Sequence, residues 1–337
     1  MDTKRIGTLL IVAICVIILF PAGSWAETVI LFPDEALERA VRSTLRYWHN
    51  PLTTEKLAKL TTLEAQQAGI TNVSGLEFAV NLKKLDLTDN QISDLSPLRG
   101  LENLEYLNLK WNHVTNITAL KGLTNLTYLG LENNQISDIS PLSSLRNLTR
   151  LNLGVNRVNR LDTLGRLTSL EQLILYYNDI SNIGPLAGLI RLQVLNLSDN
   201  QISDISPLIK NVQAGGLTGG FVNLTHNRLN TSEGSRAMAD IQKLLDGDVV
   251  VNYGSQEGRR SVPPQPAIET RIPRGVATAQ PETVTGVEVV PDLPLAGPEP
   301  GENIFVQLQT VITLLMILLV LYTLKTVVFV KHDKSFH

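Results

Sequence analysis

Leucines recur along this chain with a period of 22 residues. One set falls at Leu82, Leu104, Leu126, Leu148, Leu170 and Leu192, a second at Leu85, Leu107, Leu129, Leu151, Leu173 and Leu195. A third falls at Leu87, Leu109, Leu131, Leu153, Leu175 and Leu197, and each triplet is followed by asparagine: Asn90, Asn112, Asn134, Asn156, Asn178 and Asn200. Ile or Val then stands at Ile92, Val114, Ile136, Val158, Ile180 and Ile202, and leucine closes the units at Leu98, Leu120, Leu142, Leu164, Leu186 and Leu208. The Leu-x-Leu alternation has the two-residue period of a strand with leucines on one side. One such coil cannot bury its apolar side alone, so coils must stack into a solenoid. The asparagine answers a backbone problem. Where the chain leaves the strand, N–H and C=O groups lack ladder partners, at about 1–3 kcal/mol for each buried orphan. An amide supplies both donors and an acceptor. Asp or Leu would lose one half of that.

The unit LxxLxLxxN matches the leucine-rich-repeat pattern. Its return segments read NQISDLSPL (90–98), NDISNIGPL (178–186) and NQISDISPL (200–208). A 22-residue period with this return resembles the internalin-type bacterial leucine-rich repeats over residues 30–254. The resemblance implies an α/β solenoid: a right-handed curved array with a helical N-terminal cap and a concave strand face. Pro97, Pro141, Pro185 and Pro207 fix φ in the return turn, and Ala119 and Thr163 replace proline in the other two units.

The ends depart from the repeat. Asp34 is placed to cap a helix carrying Leu37, Ala40, Val41 and Leu45 on one face, with a second short helix from Thr53 to Leu60. These form an N-terminal cap over 27–62. The array runs over 63–227, with Ala68 in the first coil where asparagine would stand. Glycines between Gly215 and Gly220 lengthen the last unit, and Asn227 follows Asn200 by 27 residues. A helix from Ser232 to Leu245 and a strand from Val249 to Tyr253 make a C-terminal cap over 228–254.

Beyond the array, composition changes the picture. Lys4 and Arg5 precede an apolar run and then Ala26, which reads as a secretory signal over 1–26; an uncleaved anchor is the alternative. Cys15, the single cysteine, lies inside it, so the mature chain has neither disulfides nor thiolate chemistry. Residues 255–303 hold nine of the sixteen prolines and read as a disordered tether. Residues 304–324 carry no charge and are long enough to cross a bilayer. Lys325, Lys331 and Lys334 follow, so the tail 325–337 is placed in the cytoplasm and the repeats outside, in the periplasm or at the cell surface. Leu293-Pro-Leu-Ala-Gly297 is similar to a sortase signal but has Ala296 in place of threonine.

Chemistry is absent from the motifs. The five histidines have no metal-ligand spacing, and no phosphate-cradling loop occurs. The net charge of −3 gives no reason to expect nucleic acid. No enzyme, metal or cofactor is expected. Asp94, Asp138 and Asp204 recur at one position and belong to the return turn. The strand face remains. Tyr106, Tyr128 and Arg150 should stand on adjacent coils, with Trp111 at their edge and Ile174 and Tyr176 as an apolar spot beyond; Gly130 and Gly154 should leave a depression beside them. Tyr, Trp and Arg carry interface energy, although cross-strand aromatics can equally serve the sheet alone. The expected function is binding of a protein partner on the concave face. A scaffold organising proteins in the same membrane, or glycan binding, are the alternatives.

Overall fold

The computed structural model describes residues 28–256. The expected signal, membrane span and cytoplasmic tail lie outside those residues, as does all of the tether except Ser255 and Gln256. Among the described residues no helix is long and apolar enough to cross a membrane.

Each coil contributes one three-residue strand: β1 (Thr62–Glu64), β2 (Lys84–Asp86), β3 (Tyr106–Asn108), β4 (Tyr128–Gly130), β5 (Arg150–Asn152), β6 (Gln172–Ile174), β7 (Val194–Asn196), β8 (Phe221–Asn223) and β9 (Val250–Asn252). They form one parallel sheet in chain order. Leu63, Leu85, Leu107, Leu129, Leu151, Leu173 and Leu195 pair in unbroken register, continued by Val222 and Val251. The repeat leucines are essentially without solvent exposure. Truncating any one to alanine would cost about 2–5 kcal/mol.

The strands stay short because the chain turns at a fixed place. Three residues past each of the first eight strands a non-glycine residue takes a left-handed conformation, at Gln67, Asp89, Trp111, Asn133, Val155, Tyr177, Asp199 and His226. Such a residue costs about 1–3 kcal/mol, and Val155 (φ 54°) is β-branched, the least suited type. The asparagine ladder over-determines the turn. Asn112 Oδ1 accepts from Ile92 N at 2.9 Å, while its Nδ2 donates to the carbonyls of Leu87 (3.0 Å) and Leu109 (3.1 Å). Thus one amide serves its own coil and the one before. Asn90 serves the first coil, so Ala68 needs no asparagine of its own: its N–H donates to Asn90 Oδ1. Asn227 continues the ladder. Gln256 then closes it, accepting from Asn227 N and Leu229 N and donating to Leu224 O. The folded array therefore reaches two residues into the stretch expected to be tether.

The returns are 3-10 turns, with Pro97, Pro141 and Pro185 in their first turn. Asp94, Asp138 and Asp204 accept from the N–H of Ser96, Ser140 and Ser206, so these acids do belong to the turn. Backbone and hydroxyl donation from Ser206 holds the Asp204 carboxyl below its usual range. A second asparagine ladder, unforeseen, runs along the coil before each strand: Asn81, Asn103, Asn125 and Asn147 donate to the carbonyls of Ala58, Val80, Glu102 and Thr124.

Helix α1 (Glu35–Leu45) and the single turn α2 (Thr54–Leu57) form the N-terminal cap; α2 is shorter than expected. Asp34 does more than cap. Its Oδ1 accepts from Ala36 N and Leu37 N, and its Oδ2 from Thr71 N, Thr71 Oγ1 and Asn72 N, which fastens the cap to the first coil. At the other end the lengthened return becomes a helix, α3 (Ser206–Gln213). Helix α4 (Arg236–Asp246) starts four residues later than the sequence suggested, capped by Ser235, and leads into β9.

Candidate partner-binding face

The outward residues of the strands lie in rows. Along the first row Lys84, Tyr106, Tyr128, Arg150, Gln172 and Val194 are register partners in turn. The expected neighbours Tyr106, Tyr128 and Arg150 are therefore brought together. The two tyrosine rings stack, with centroids 4.3 Å apart and planes 7° from parallel, an arrangement worth about 0.5–1.5 kcal/mol beyond burial. Lys84 Nζ stands over the Tyr106 ring, 5.5 Å from its centroid. Burial raises the phenol of Tyr106, helped by Tyr128 and Asp86, and burial likewise raises that of Tyr128. Both phenols are protonated donors at neutral pH.

Trp111, five residues past Tyr106 on the same coil, takes a left-handed backbone in the turn and is 43% exposed. Arg150 is exposed as well. Ile174 and Tyr176 are half-buried.

Tyr176 does not form a simple apolar spot with Ile174. Its hydroxyl donates to Glu132 Oε1, two coils away, and its ring crosses the intervening coil at Gly154. A Cβ added at Gly154 would lie 2.4 Å from Tyr176 Cε1. Gly130 is covered in the same way, since a Cβ there would lie 2.4 Å from Asn108 Oδ1. The depression expected beside the tyrosines is thus filled. Both glycines are needed for close approach by a neighbouring side chain. Sequence reasoning missed this because the contact joins residues 44 apart through a long side chain.

Glu132 gathers three partners: Tyr176, Asn152 Nδ2 at 2.7 Å and Lys110 Nζ at 3.3 Å. Burial first, and donation to Glu132 second, push the Tyr176 phenol far above the ordinary tyrosine range. Asp86 is engaged by Thr88 Oγ1 at 2.6 Å and Asn108 Nδ2 at 3.2 Å. Lys84 pairs with Glu64. The face is preformed, with most of its polar groups bound to one another. No group of His, Cys, Asp and Glu able to hold a metal occurs among the described residues.

This parallel sheet with its leucine spine and asparagine ladder defines a leucine-rich-repeat solenoid. The leucine-rich-repeat profile, described as two copies, matches residues 80–123, 124–166 and 168–210. Internalin C2 from Listeria monocytogenes is similar at 32% identity and a TM-score of 0.60, over 69% of this chain and 100% of that one. The chain belongs to the internalin-type leucine-rich-repeat family. A second Listeria monocytogenes internalin, inlF, is similar at 29% identity and a TM-score of 0.52, over 66% of this chain and 76% of that one. No relative was found among curated proteins.

Proposed function

We propose that the chain is an exported recognition protein that binds a protein partner on the concave strand face and is displayed from a membrane by residues 304–324. The observation that carries this reading is the aromatic-basic row: stacked Tyr106 and Tyr128 continued by exposed Arg150, with exposed Trp111 in the turn that follows the Tyr106 strand. These are the residue types that dominate interface energy. Solenoids of this class present extended concave surfaces for binding, and family membership supports a protein-binding role. Mechanistically the face is a rigid template. Its side chains are already held by stacking and hydrogen bonds, so little ordering entropy is lost on association.

The stack also bears on the glycan alternative. A sugar needs an open ring face; the facing sides of Tyr106 and Tyr128 are used on each other, which leaves Trp111 as the exposed indole for that role. Protein recognition through ring edges, hydroxyls and the guanidinium is favoured.

The test is capture of envelope partners by the full chain, with Tyr106→Ser/Tyr128→Ser compared against Arg146→Ser/Arg157→Ser, exposed positions off the strand rows. The first pair should lose the partner and the second keep it. Equal capture by both defeats the reading. Deleting 304–337 should release the protein from membranes while leaving partner capture intact, the reverse of what a membrane scaffold would show.

A further inference from the structure

Two ion pairs form on the strand face, and among the described residues Arg150 is the cation of that face left without a carboxylate. Across the outward rows of all nine coils, the row of Trp111 included, the cations are Lys84, Lys110 and Arg150, and the carboxylates are Glu64, Asp86, Asp89, Glu132 and Asp199; Asp89 accepts from Gln67 and Asp199 lies beside His226. Lys84 is paired with Glu64, and Lys110 with Glu132. Asp86 is buried beneath Thr88 and Asn108, three coils from Arg150 and about 14 Å away at the usual strand spacing. Glu132 is taken up by Lys110, Asn152 and Tyr176. Arg150 is exposed, and among the described residues no ion pair or side-chain hydrogen bond engages its guanidinium.

Its place in the row gives this meaning. On one side lies the tyrosine stack, with Tyr128 as its register partner. On the other side the strand residues carry no formal charge, and after Gln172 they become partly apolar, with Ile174, Val194, Phe221 and Val250. Phe221 is 37% and Val250 62% exposed. A guanidinium is a planar fork suited to bidentate recognition of a carboxylate. Here the Tyr128 ring lies on one side and Gln172 on the other, with the apolar Ile174 and Val194 one and two coils from Arg150.

We propose that Arg150 is the anchor for a partner carboxylate, and that the partner presents an Asp or Glu with apolar side chains a short distance along the same segment. Val194 lies two strand spacings from Arg150, about 10 Å. An extended peptide rises about 3.3 Å per residue, so the apolar residue falls roughly three positions from the acid. This rests on the strand face being the binding site, and it assigns the partner's chemistry there.

The test uses the full chain in detergent on an array of extended eight-residue peptides. Each carries Asp or Glu with Leu, Phe or Tyr two to four residues away, and has an Asn or Gln twin. Acid peptides should be captured, with capture falling roughly ten- to a hundredfold in the amide twins and in Arg150→Gln, the range expected for a lost charge-assisted pair. Arg150→Lys should recover only part of it, because an ammonium lacks the fork. Capture indifferent to the acid, unchanged in Arg150→Gln, or absent altogether overturns the proposal. If peptides are lost in Tyr106→Ser/Tyr128→Ser but not in Arg150→Gln, the face stands and the carboxylate anchor falls. If neither variant matters, both fall.

Discussion

Asn156 accepts from Ile136 N at 2.9 Å and donates to the carbonyls of Leu131 and Leu153 at 2.9 and 3.1 Å, all of it buried. Asn156→Asp keeps the acceptor and loses both donors, setting a carboxylate against two carbonyls. Urea unfolding should show a loss of at least about 2 kcal/mol, from orphaned carbonyls at about 1–3 kcal/mol each. Tyr176 supplies the opposite kind of test, at high pH. Its phenol is raised by burial and by donation to Glu132. Its contribution is therefore complete below the ordinary tyrosine value of about 10 and drains away as pH climbs through the raised one. The wild-type array should lose stability above about pH 10 more steeply than Tyr176→Phe, followed by circular dichroism across alkaline pH. The leucines and asparagines were legible because each occupies a repeating slot. Tyr176 was not, since its partner two coils away depends on Gly154 being bare, and nothing in a 22-residue period announces that.

At the scale of elements, the cap and the returns carry separate predictions. The Asp34 carboxyl feels burial, which raises it, but the N–H groups of Thr71, Leu37 and Asn72 and the Thr71 hydroxyl outweigh that and hold it below 3.8. A depressed carboxyl stabilises above its unfolded value and stops doing so as pH falls through the folded one. The N-terminal cap should therefore loosen below about pH 4. Asp34→Asn should already show that loosening at neutral pH, read as faster amide exchange over residues 35–45. The helix cap was legible from Asp34 and its apolar periodicity; the link to Thr71 was not, because it is tertiary. In the returns, Thr163 stands where proline occupies four other units. It is the second residue of a 3-10 turn of the same type, and its N–H makes no backbone hydrogen bond. Thr163→Pro should raise stability by about 0.4–1 kcal/mol through the unfolded chain, seen as a higher midpoint of thermal unfolding. Helix α3 was missed because the glycines around Gly215 read as an interruption, whereas the added length lets a turn grow into a helix.

At the scale of the whole molecule, periodicity alone gave the stacking of coils, since a fixed repeat leaves one way to bury the leucines. The site was legible as residue types in adjacent rows, but not as contacts. Tyr106, Tyr128 and Arg150 fell where the register placed them, while the expected hollow beside them is filled by Asn108 and Tyr176. What the face can do therefore follows from which groups are left over: ring edges, Trp111 and an unmatched guanidinium. Site-specific photo-crosslinking on intact cells tests that claim most directly. A benzophenone side chain would be placed in the full chain at Gln172 or Val194 on the strand face, and at Arg146 or Arg157 away from it. Binding on the strands predicts a discrete adduct from the first two positions and none from the others. Adducts from Arg146 or Arg157, with none from Gln172 or Val194, would contradict it.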